Sequence, residues 1–161
     1  MSRVIMTCGK ICCGKSTYAR CLRQELGNAV ILSIDEIMLA MFPEGAGERH
    51  EHFVRAAETY LCGLALQILK TGSDVILDWG LWTREQRSRL RTFWGTRGVL
   101  SEVHYLRISG TEWERRIRAR NTALPGDPSG AYYVDEGLLR KVETLFEEPT
   151  SDEAETVIDC G

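Results

Sequence analysis

The residues Gly9-Lys10-Ile11-Cys12-Cys13-Gly14-Lys15-Ser16-Thr17 have the types and spacing to hold a chain of phosphates. They fit G-x-x-x-x-G-K-[ST], the P-loop pattern. In such a loop successive backbone N–H groups point into one concavity, and the helix that follows adds a partial positive charge. Gly9 and Gly14 permit the turn and the close approach of phosphate. Lys15 is placed to reach the β- and γ-phosphates, and the Ser16 hydroxyl to bind Mg²⁺. Lys10, Ile11, Cys12, Cys13 and Thr17 complete the nucleotide contact. The implied ligand is ATP with Mg²⁺. The bland alternative is a glycine-rich turn between a strand and a helix, with no ligand.

Other side chains could act on a bound γ-phosphate. Asp35 follows Ile31-Leu32-Ser33-Ile34, so it stands at the carboxyl edge of a strand. Phosphoryl transfer needs a carboxylate that orients the acceptor hydroxyl and takes its proton. Asp35 or Ser33 could equally cap the next helix, and the two roles are compatible. Asp78 closes the apolar run Val75-Ile76-Leu77 and could support Mg²⁺ or bond the acceptor, or be a turn aspartate before Gly80. Arg116 and Arg120 are four apart on one helical face and could stabilise the transferring phosphoryl group. Arg115 and Arg118 fit a solvated face paired with Glu112 and Glu114. Arg84 or Arg87 could hold an anionic part of the acceptor, and Trp79 and Trp82 could line its pocket or pack in the core. Cys12 and Cys13 read as small loop fillers or as thiols activated by Lys15 and a helix N-terminus. His50 and His52 read as ordinary surface residues.

These groups need a scaffold that brings strand ends together. Val4–Cys8, Ala29–Ile34, Asp74–Asp78, Val99–Ile108 and Thr156–Ile158 read as strands. Between them the pattern predicts helices over Lys15–Leu26, Asp35–Phe42, Arg49–Lys70, Thr83–Phe93, Thr111–Arg120 and Asp135–Glu147. Thr83-Arg84-Glu85-Gln86 and Thr111-Glu112-Trp113-Glu114 read as capping boxes. Phe53, Ala57, Tyr60, Leu61, Leu64 and Ile68 are expected on one buried face of the third helix. Asn121–Gly130, rich in Pro and Gly, reads as an exposed, mobile loop. Strands alternating with helices imply an α/β fold, a parallel sheet covered on both faces, with ligands beyond the strand C-termini.

The chain has 161 residues, 43% hydrophobic and 27% charged, which suits a single domain with a lid around residues 111–133. A net charge of −3 does not favour nucleic acid as a partner. No apolar run is long enough for a membrane span, and the N-terminus has no signal-peptide pattern, so a cytoplasmic protein is expected. The six cysteines include no C-x-x-C pair, and reduced thiols are the simplest reading. Oligomeric state is left open.

Taken together, Gly9 to Thr17, Leu32-Ser33-Ile34-Asp35-Glu36-Ile37-Met38, Val75-Ile76-Leu77-Asp78 leading to Thr83-Arg84-Glu85-Gln86-Arg87, and Arg116-Ile117-Arg118-Ala119-Arg120-Asn121 resemble a known group. It comprises small P-loop kinases related to chloramphenicol phosphotransferase, zeta toxins and the kinase domain of polynucleotide kinases, within the AAA-type ATP-binding proteins. The resemblance implies a three-layer P-loop NTPase fold, similar to nucleoside monophosphate kinases, with five parallel strands in the order 2-3-1-4-5. It implies Asp35 as base, and Lys15, Arg116 and Arg120 on the phosphates. Relatives often carry Asp-x-x-Asn after the third strand, where this chain has Asp78-Trp79-Gly80-Leu81-Trp82. The expected activity is transfer of the ATP γ-phosphate to a hydroxyl of a small molecule such as an antibiotic, sugar or nucleoside. The alternatives are a polynucleotide 5′-hydroxyl or nucleotide-sugar kinase, and a regulatory ATPase without an acceptor.

Overall fold

A computed structural model of the chain describes residues 1–123 and 134–161. The strands are β1 (Arg3–Cys8), β2 (Ala29–Ser33), β3 (Asp74–Asp78), β4 (Leu100–Arg107) and β5 (Thr156–Asp159). The helices are α1 (Lys15–Leu26), α2 (Ile34–Met41), α3 (His50–Lys70), α4 (Arg84–Gly95), α5 (Gly110–Ala123) and α6 (Glu136–Leu145). All strand pairs are parallel, and the sheet order is β2-β3-β1-β4-β5. This is the order implied by the resemblance.

The sheet is apolar on both faces because helices cover both. Val4, Ile5 and Met6 of β1 and Val75, Ile76 and Leu77 of β3 are fully buried. Ile5 and Ile76 face Ala19 and Leu22 of α1. The alternate residues Val4, Met6, Val75 and Leu77 face Leu61, Ala65 and Leu69 of α3 and Leu90 and Trp94 of α4. Burying each large aliphatic side chain contributes about 2 kcal/mol, so the central strands are firmly placed. A third cluster, with Trp113, Ile117, Val134 and Val142, joins α5 and α6 above the strand C-termini and packs on Ile11 and Cys12.

Several boundaries differ from the sequence pattern for local reasons. Ser33 caps α2, accepting from the Glu36 N–H at 3.2 Å, so that helix begins at Ile34 and Asp35 sits in its first turn. The Thr83 capping box forms as expected. The second box does not: Ser109 accepts from the Glu112 N–H, which starts α5 before Thr111. On the expected face of α3, Ala57 and Leu61 are buried and Tyr60 is exposed, while Cys62, Ala65 and Leu69 are buried in addition. The expected loop from Asn121 starts later, because α5 continues to Ala123; residues 124–133 lie outside the described residues. No helix among the described residues is long and apolar enough to cross a membrane.

Candidate active site

The loop between β1 and α1 is held from below and left bare at its mouth. Gly9 N–H donates to Gly80 O at 3.0 Å, tying the loop to the segment after β3. The buried Thr7 hydroxyl bonds Leu77 O and Trp79 O, and its oxygen accepts from the Trp79 N–H. A Cβ on Gly9 would sit 2.6 Å from Cys13 Sγ and 3.0 Å from Leu106 O, so only glycine fits there. Gly14 has φ +102°, and the first turn of α1 has neither a side-chain cap nor an acidic residue. Those N–H groups and the helix dipole are therefore available to an anion. Lys15 Nζ lies across the loop, 3.0 Å from Gly9 O and 2.7 Å from Lys10 O.

Cys13 is buried and fills the space under Gly9, while Cys12 is half-buried with φ +63°. All six cysteines are free thiols. Burial pushes the Cys8 thiol up to about 11, against the pull of Arg87 and Lys15, which keeps it protonated below the loop.

The carboxylates come from the two strands on one side of β1. Ser16 Oγ donates to Asp78 Oδ2 at 2.7 Å. Asp35 stands at the adjacent strand end, freed from helix capping by Ser33. Its side chain is exposed, yet enough protein surrounds the carboxyl for burial to push its pKa upward. Lys15 pulls it down, Asp78 pushes it up, and Arg120 and then His50 pull it down. These groups therefore lie within electrostatic reach of one carboxyl. His50 is the addition that sequence reasoning missed. Its only signal was its place at the start of α3, opposite α2.

Helix α5 lies against the loop through three side chains spaced along one face. Trp113 Nε1 donates to Ile11 O at 2.7 Å. Arg116 donates to Cys13 O at 2.9 Å, to Cys160 O at 2.6 Å and to Glu112 at 2.9 Å. Arg120 Nη1 lies 2.8 Å from Cys12 Sγ. Lys10 Nζ sits 4.5 Å from the centre of the Trp113 ring, a cation–π contact. Hydrogen bonds from Arg115 and Arg116 hold the Glu112 carboxyl down to about 2. Arg115 and Arg118 remain on the solvated face, paired with Glu112 and Glu114.

The expected acceptor contacts after β3 need correction. Arg87 is 1% exposed, and its guanidinium bonds Glu153 and Leu81 O, so it braces the β3–α4 connection and does not face the cleft. The Arg84 side chain lies nearest Asp152, at 3.8 Å, while its N–H bonds Glu147. Trp79 is buried in the core with Leu61 and Leu81. Trp82 stays half-buried beside Ile11 and Cys12. A Cβ on Gly80 would meet Trp82 Nε1 at 2.7 Å, so the glycine lets this ring fold over the turn.

A family model described as AAA domain matches residues 4–149. No curated protein matches the sequence. Among solved structures, the chain is similar to a sugar kinase from Janibacter sp. HTCC2649, with 16% identity, TM-score 0.65, and 99% of this chain and 86% of that one covered. It is similar to the APS kinase of Mycobacterium tuberculosis in complex with AMPPNP and APS, with 13% identity, TM-score 0.66, and 98% and 88% covered. It is also similar to Kti12 of Chaetomium thermophilum in complex with ADP-AlF3, with 17% identity, TM-score 0.69, and 97% and 87% covered. At such identities the likeness is one of fold. The match over residues 4–149, a bare-mouthed phosphate loop and the 2-3-1-4-5 sheet together show that this chain belongs to the AAA domain family and has the three-layer fold of the P-loop kinases.

Proposed function

We propose that this protein is an ATP-dependent kinase that phosphorylates a hydroxyl of a small molecule, such as an antibiotic, a sugar or a nucleoside-like compound. The observation that carries this reading is the position of Asp35, whose carboxyl lies within electrostatic reach of Lys15, Asp78 and Arg120. A nucleotide-binding switch has no need of a carboxylate at that point; an acceptor hydroxyl does.

Ser16 and Asp78 fit a divalent cation of the Mg²⁺ type, since both offer oxygen donors and few protein ligands are needed beside phosphate and water. Among the described residues no group of three His, Cys, Asp or Glu could hold a metal alone, which suits an ion shared with phosphates. Held by Ser16 and Asp78, such an ion would supply positive charge against the phosphates. The loop N–H groups and Lys15 orient the triphosphate. Asp35 accepts the proton of the acceptor hydroxyl as its oxygen bonds the γ-phosphorus and the bond to the ADP oxygen breaks. Arg120 meets the charge that develops on the phosphoryl oxygens. The net charge of −3 speaks against a long polynucleotide acceptor.

The test is Asp35→Asn in an assay of ATP consumption over antibiotics, sugars, nucleosides and RNA ends. Transfer is expected to fall by about 10²–10⁴-fold while calorimetric ATP affinity is retained. Full transfer in the variant removes Asp35 from the mechanism, and slow hydrolysis with no stimulating acceptor supports a regulatory ATPase. The pH profile adds a second readout. A raised carboxyl pKa puts the acid limb of the rate above the ordinary aspartate range, with activity gained as pH rises through it. The same shift makes the folded state bind this proton more tightly than the unfolded chain. Its stabilising contribution is full at low pH and lost as pH rises through the folded pKa, so Asp35→Asn is also expected to melt slightly higher at neutral pH.

A further inference from the structure

Lys10 differs from the other cations around the phosphate loop. Lys15 is bonded to Gly9 O and Lys10 O, Arg116 to Cys13 O, Cys160 O and Glu112, and Arg120 lies against Cys12 Sγ. Lys10 Nζ instead rests over two rings, 4.5 Å from the centre of Trp113 and 5.8 Å from that of Phe146. It lines a cleft of about 520 Å³ with Glu143 and Glu148, yet among the described residues it makes no ion pair with either. The P-loop pattern leaves this second position open to any residue, so the motif itself assigns the side chain no task.

The inference drawn from this rests on the kinase reading, in which Lys15 meets the γ-phosphate. Lys10 O is 2.7 Å from Lys15 Nζ. A γ-phosphate oxygen bonded to that ammonium at about 2.8 Å would lie within about 5.5 Å of Lys10 O. A lysine side chain extends about 6 Å beyond its Cα on a flexible stem, so Lys10 Nζ can reach such an oxygen by rotation of its own bonds while the loop stays in place. What it leaves behind is a weak hold. Lys10 is half-buried, and a cation over ring faces at a part-exposed site gains less than an ammonium bonded to a phosphate oxygen. The difference widens in the transition state, where charge spreads over the equatorial oxygens. Trp113 keeps the ring beside the loop, since its Nε1 donates to Ile11 O, the carbonyl next to Lys10.

We propose that Lys10 is a second catalytic lysine of the loop, whose ammonium leaves the Trp113 ring to donate to an oxygen of the transferring phosphoryl group. Lys15 holds the triphosphate before and during transfer; Lys10 meets the charge that arises only during it. No covalent bond to Lys10 forms or breaks, and its proton stays on nitrogen. An interaction made only in the transition state raises turnover without tightening the ground state.

The test compares AMPPNP, an intact triphosphate, with ADP plus aluminium fluoride, which mimics the phosphoryl group in transfer; neither needs a known acceptor. Both affinities are measured by calorimetry with Mg²⁺ on the wild type, Lys10→Met and Lys10→Arg, with circular dichroism confirming the fold. Lys10→Met is expected to weaken the aluminium fluoride complex by about 10²-fold and AMPPNP by less than about threefold. Lys10→Arg keeps the charge and should recover most of the loss. A purely structural lysine would weaken both ligands alike. Equal losses for the two, no loss for either, or a wild type that binds ADP no better with aluminium fluoride than without would overturn the proposal. Lys15→Ala separates the two readings. It should weaken AMPPNP if the loop holds triphosphate, whereas AMPPNP binding insensitive to Lys15 would sink the kinase reading itself.

Discussion

Helices α4 and α5 are both rich in arginine, yet their arginines meet different partners. In α4, Arg87 is buried against Glu153, Arg91 pairs with Glu155, and Arg89 pairs with Glu58. Each is matched by a carboxylate from a distant part of the chain. In α5, Arg116 and Arg120 reach the phosphate loop at a backbone carbonyl and a thiol sulfur, Arg116 also pairing with the Glu112 carboxylate of its own helix. A guanidinium paired with a carboxylate has its charge spent within the fold. One aimed at a sulfur, as Arg120 is, would keep its charge for an incoming phosphate. Composition alone does not separate the two helices; the identity of the acceptor does.

The sharpest way to break this contrast is Arg120→Ala. Its kcat is expected to fall by about 10³-fold, the lower range for loss of a charge-stabilising arginine, with little change in urea unfolding. Unaltered initial rates would place α5 with α4 as a purely structural helix. The opposite result is expected for Arg87→Met, which strands Glu153 in a buried setting. Unfolding free energy should drop by about 3–5 kcal/mol in urea titrations, while the folded fraction retains its ATP affinity. Combining it with Glu153→Leu should recover part of that loss, since an apolar pair can replace a buried ion pair. The smallest effect is expected for Arg118→Ala, whose partner Glu114 is also exposed. Stability should stay within about 0.5 kcal/mol and turnover should not change.

The contrast also marks what the sequence could reveal. The phosphate loop was legible because all its chemistry lies in one contiguous stretch, and Asp78 and Asp35 because apolar runs place them at strand ends. The Arg116/Arg120 face followed from helical periodicity. Arg87 was misread because its partner Glu153 lies 66 positions away and no local pattern links them. Ser109 displaced Thr111 as the cap because two serine or threonine candidates stood two residues apart, and the backbone path out of β4 chose between them. Tyr60 followed the apolar spacing of α3 but lies outside its buried stripe of Ala57, Leu61, Cys62, Ala65 and Leu69. His50 offered only its place at the start of α3, since its electrostatic reach to Asp35 depends on how α2 and α3 pack.

Arg116 differs from Arg120 in one further respect. It is anchored in three directions, to Glu112 on its own helix, to Cys13 in the loop and to Cys160 beyond β5. Arg120, one turn later, is tethered to the loop only through a sulfur. In mechanical terms α5 is pinned at Arg116 and held more lightly one turn on, at Arg120. On the kinase reading, loop integrity and charge delivery would therefore fall to different turns of the same helix.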